Sequence, residues 1–109
     1  MTQSPFTLAT ELKSYLDGLL SKYDLDSLLP AERTALVQVK HLAIDARLEA
    51  RDYDYADSRV EQQQAAADAR KYFVQLEQAL LDASQYNLFG SVEIAQLSAQ
   101  IQHIMTLMT

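Results

Sequence analysis

The chain has no cysteine and no tryptophan, and its 109 residues include only two glycines and two prolines. Without cysteine there is no disulfide, no thiolate nucleophile and no cysteine-based metal site, which suits a reducing, cytoplasmic setting. So few glycines and prolines leave few places to turn, and abundant Ala, Leu and Gln favour long helices joined by short connections. Basic residues are scarce too: nine Lys and Arg face fifteen Asp and Glu, giving a net charge of −6. No basic stripe is present to meet phosphates, so neither nucleic acid nor an anionic membrane is an expected partner. No apolar run is long enough to span a bilayer, and Met1-Thr2-Gln3-Ser4-Pro5 lacks the basic start and apolar run of a leader. Residues 91–109 contain one acid, Glu93, and no Lys or Arg.

What is present reads as amphipathic helix throughout. Ser4-Pro5 supplies a capping oxygen and then a proline at the first helical position. Leu8, Leu12, Tyr15 and Leu19 follow as one stripe, widened by Leu16, Leu20 and Tyr23. Gly18 interrupts that pattern at about 1 kcal/mol relative to Ala, and could serve a close helix contact or a bend. The run from Asp24 to Pro30 ends the helix, and its leucines, Leu25, Leu28 and Leu29, are expected to lie over the core. Pro30 opens a second helix with Glu32 in its first turn, where the helix dipole favours an acid. Its apolar residues Leu36, Val39, Ala43, Ala46, Ala50 and Tyr53 keep three-four spacing, with Val37, Ile44 and Leu48 as a second line. That coverage places it centrally.

The third helix organises the rest. Ala66, Ala69, Phe73, Leu76, Leu80 and Ala83 alternate steps of three, four and back, which keeps one side against a partner helix. A second line, Val60, Ala67, Val74 and Leu81, repeats every seven residues and lies about 100° around the same helix. The second helix's stripe, carried forward, would land on Asp57, Gln64 and Lys71, so a break near Asp54 is expected. Ser58-Arg59-Val60-Glu61 has the form of a capping box at the new start. The wording Arg51-Asp52-Tyr53-Asp54-Tyr55-Ala56 resembles the turn between the two helices of a tetratricopeptide repeat. The resemblance covers about one turn of that 34-residue pattern, and it implies a helix–turn–helix here. Gln63 stands where the repeat has a small residue, and no second copy occurs. Gly90 is the residue suited to a left-handed turn after Asn87, and Ser91 to capping a fourth helix. Ile94, Leu97, Ile101, Ile104 and Met108 form its stripe, flanked by Met105 and Leu107.

Three groups of side chains invite chemistry. His41, Asp45 and Glu49 are spaced one helical turn apart, which could gather an imidazole and two carboxylates for a metal. The same His41 suggests a phosphotransfer role, since histidine phosphotransfer domains are four-helix bundles of similar length. Here Lys40 precedes His41, no glycine follows, and Asp45 would repel a phosphate. Glu49, Asp52, Asp54, Asp57 and Glu61 crowd five acids into a short span without the glycine of a calcium loop. Helix caps and pairing with Arg47, Arg51 and Arg59 account for them. Tyr53, Tyr55, Tyr72, Tyr86 and Phe89 are placed at helix ends or beside the stripes, as interface aromatics are.

The expectation is therefore a single all-α, four-helix-bundle-like domain with helices near 5–23, 30–52, 57–87 and 92–108. The expected function is a non-enzymatic protein–protein interaction module: an adaptor, a small regulator or a secretion-chaperone-like protein, homodimeric and without cofactor. Val60, Ala67, Val74, Leu81, Tyr72 and Phe89 are the candidate interface. The alternative is a phosphotransfer-like or metal-binding bundle using His41.

Overall fold

Both prolines open helices in the structure, a computed structural model that describes residues 3–108. Met1 and Thr2, from the N-terminal stretch considered above, and Thr109 lie outside the described residues. Helix α1 spans Pro5–Leu20, α2 Pro30–Asp54, α3 Arg59–Ser84 and α4 Ser91–Leu107, with a short 3-10 turn at Leu25–Ser27. Each helix packs on the next in sequence, and α4 returns to α1. With short connections this is an all-α four-helix bundle whose neighbours run antiparallel. Helices α2 and α3 share the most extensive seam. Ala43, Ala46 and Ala50 on α2, with Ala69, Ala79 and Ala83 on α3, are all buried there or in the adjoining core. Small side chains let two axes approach closely, which is why the two longest helices pair along most of their length.

The core is apolar throughout: among the described residues no polar or charged side chain is buried. Phe73 and Leu76 of α3 meet Leu16 of α1, Leu36 and Val39 of α2, and Leu97, Ile101 and Ile104 of α4 in one cluster. Polar ties close the rim. Tyr23 donates its hydroxyl hydrogen bond to the Leu88 carbonyl, Arg70 donates to the Met105 carbonyl at 3.2 Å, and Tyr15 to Gln96 at 3.0 Å.

The helix starts follow from their caps. Ser4 Oγ accepts from the Thr7 amide at 3.2 Å, and the Glu32 carboxylate accepts from the Leu29 amide at 2.9 Å. Asp54, the last residue of α2, accepts from the Phe6 amide at 3.1 Å and so caps α1 as well. At α3, Ser58 Oγ accepts from the Glu61 amide at 3.1 Å. The Glu61 carboxylate reaches back to the Asp57 amide at 3.3 Å, one residue earlier than a capping box requires. The break between α2 and α3 thus falls where the change of stripe places it. Helices of 25 and 26 residues outgrow a 34-residue repeat, so the tetratricopeptide likeness stays confined to the turn.

Several local expectations are corrected. Helix α1 ends at Leu20, not 23, because Lys22 and Tyr23 close tighter i−3 turns on Leu19 and Leu20. Helix α3 ends at Ser84, not 87, for the same reason at 85–87. The left-handed residue is Asn87, with φ 60°, whereas Gly90 is extended at φ −74° and caps α4. Asn tolerates that conformation because its short polar side chain carries little steric penalty there. Ser91 is accordingly the first helical residue and not the cap. Gly18 faces open space within a continuous α1, so a close helix contact does not explain it. Of the three connection leucines only Leu28 packs on the core; the 3-10 turn leaves Leu25 at 44% and Leu29 at 67% exposure. Among the described residues no helix is long and apolar enough to cross a membrane.

Candidate interaction surface

With no buried titratable side chain among the described residues, the surface is where chemistry or recognition is to be sought. The most conspicuous surface feature is the outer side of α3. Val60 is 77% exposed, Val74 54% and Leu81 46%, and Ala67 between them is exposed as well. They recur at the same point of successive heptads, so they form one line along the helix. The inner side of α3 is its reverse: Ala69, Phe73, Leu76, Leu80 and Ala83 are essentially inaccessible. Ala66 is half-buried against the core and Ala65 takes the buried place beside it.

The other two candidate interface residues separate from this line. Tyr72 is half-buried against the core, with the Lys71 ammonium 5.9 Å from its ring centre. Phe89 is not a surface residue: it is 5% exposed and belongs to the core. The turn at Asn87 swings Leu88 and Phe89 inward, and the Tyr23 hydroxyl fixes that segment through Leu88. Among the remaining aromatics, Tyr55 is 70% exposed but stands edge-on to Phe6, with centroids 6.1 Å apart. Tyr53 is half-buried and donates to the Leu107 carbonyl at 3.4 Å, tying α2 to α4.

Sequence reasoning missed one part of the surface. Val92, at the start of α4, is 71% exposed, and Ala95, Gln96, Ala99, Gln102 and His103 are exposed after it. Glu77 of α3 accepts from Ser98 Oγ at 2.6 Å and from Gln102 at 3.2 Å, so its charge is engaged by α4. The outer side of α4 is therefore almost free of ionised groups. The signal was present in the charge count for 91–109, which pointed to this helix without saying which residues faced out.

The titratable clusters give less. His41 is exposed, Asp45 and Glu49 are half-buried, and among the described residues no three His, Asp or Glu side chains are grouped to hold a metal. Burial pushes the Glu49 carboxyl above its ordinary range, and the negative charges of Asp52, Asp68 and Asp45 add to it. The expected arginine pairing is thin. Arg51 reaches Asp52 only at 3.8 Å, while Arg47 turns to α1, donating to Thr10 Oγ1 at 3.0 Å and lying 4.9 Å from the Phe6 ring centre. Asp54 and Glu61 are helix caps, as read above.

No protein family model, curated protein or solved structure matches the chain.

Proposed function

We propose that the protein is a non-enzymatic protein–protein interaction module, of the adaptor, small-regulator or secretion-chaperone kind, that self-associates as a homodimer. The observation carrying this reading is the exposed Val60–Ala67–Val74–Leu81 line on a helix whose other side is fully used by the core. A surface line of apolar residues at heptad spacing is what a second helix covers in a coiled-coil contact. Charge supports the same side of the molecule. Two copies of a chain with net charge −6 repel unless the meeting surfaces carry little charge. The α4 stretch beside this line supplies such a surface, and depletion of charged residues is the compositional mark of interface centres.

Sedimentation velocity at micromolar concentration tests the reading directly. A dimer is expected, converted to a folded monomer by Leu81→Asp. A stable monomer that also captures no partner from a lysate would overturn it.

A further inference from the structure

We propose that the groove between α1 and α2, beside their connecting loop, binds a single-chain amphiphile with an anionic head, a free medium-chain fatty acid being the ligand class. The cavity there measures about 410 Å³, within the range of small-molecule sites. Its apolar wall is Leu20, Leu25, Leu36 and Val37, and its charged side chains are Lys13, Asp17 and Lys40. The two lysines stand apart from the apolar wall, while Asp17 lies within one turn of Leu20. Lys13 lies two turns before Leu20 on α1, and Lys40 lies about one turn after Leu36 and Val37 on α2. Because the helices run antiparallel, both displacements lead away from the loop, so the cations gather at one end and the leucines at the other. Tyr23 and Leu25 line the loop end, where the Tyr23 hydroxyl is already committed to the Leu88 carbonyl. The groove is thus a half-open slot, apolar toward the loop and bearing two lysines at its far end.

Charge complementarity decides the head group. Lys13 is neutralised by Asp17 at 2.7 Å, whereas Lys40 is exposed and belongs to no ion pair among the described residues. A carboxylate at the mouth would find that free ammonium, and a neutral or cationic head would not. Leu25, 44% exposed in the free protein, would gain cover from the tail.

The test titrates the full chain with decanoate, decanol and decyltrimethylammonium, each below its micelle concentration, and reads the methyl resonances of Leu20, Leu25 and Val37 by NMR. Saturable shifts confined to these methyls are expected with decanoate, weaker with decanol and absent with the cation. Lys40→Gln should weaken decanoate roughly tenfold with the melting temperature unchanged, and so should added salt, whereas Lys71→Gln should not. Leu25→Gln, an exposed position, should weaken decanoate and decanol alike. Equal affinity for decanoate and decanol, indifference to Lys40→Gln, shifts spread over the α3 surface, or no saturation would each overturn the proposal.

Discussion

The two sides of α3 carry apolar lines of almost the same regularity and meet opposite fates. The line through Ala69, Phe73, Leu76, Leu80 and Ala83 vanishes into the core, while Val60, Ala67, Val74 and Leu81 stay in solvent. Helical periodicity shows that a face is apolar, because spacing alone determines which residues share a face. It does not show what covers the face, since that depends on where other helices lie. Here α2 and α4 flank the inner side, and the outer line stays exposed among the described residues. The same pattern is therefore core on one side and solvent-exposed apolar surface on the other.

The strongest way to break this comparison is Leu76→Asp. An unpaired carboxylate in a fully buried apolar site should cost more than about 4 kcal/mol, enough to unfold a small domain. Circular dichroism and denaturant titration would show it. Leu81→Asp, one and a half turns along the same helix, should cost the monomer no more than about 1 kcal/mol and appear in sedimentation as lost association. If it unfolds the chain as Leu76→Asp does, the outer line is part of the fold and the comparison fails.

Smaller changes sharpen it. Ser58→Ala removes the cap of α3 next to Val60 and should lower stability by about 1 kcal/mol, read as a shift in denaturant midpoint at constant slope. Glu49→Gln should give the smallest effect, with the opposite sign. The Glu49 carboxyl is held above its ordinary value of 4.5 by burial first, then by Asp52, Asp68 and Asp45. The folded state therefore binds this proton more tightly than the unfolded state. Stability falls as pH rises from 4.5 through the raised value, and stays reduced above it. The glutamine variant should melt higher than the parent at pH 7, and the difference should close below pH 4.5.

Much of the fold was legible because its signals are local. Helix count, the prolines at two helix starts, the break near Asp54 and the inner stripes of α3 and α4 all follow from spacing and cap chemistry. The errors share a cause as well. Phe89, Leu25 and Leu29 lie in connections, where side-chain direction depends on turn geometry that apolar composition does not specify. Asn87 took the left-handed role assigned to Gly90 because either residue is competent, and the path into α4 selects between them. The outer α3 line could be read as apolar, yet its exposure could not, and the groove between α1 and α2 needs two helices in register before it exists. Arg47 shows the same limit: sequence proximity assigned it to the acids, while the fold directs it to Phe6 and Thr10 on another helix.

The Asp54 cap on α1 bears on how the chain folds. The carboxylate that completes the first turn of α1 comes from 48 residues further along. Helix α1 can be nucleated by Ser4 alone, but its start is finished only after α2 has formed to its last residue and folded back. The contact thus couples the two ends of the first hairpin across a long loop, whose closure entropy must be met before the bond forms. Such a late, non-local bond adds little to the rate of folding and more to the barrier against opening, so it acts as a latch on the hairpin.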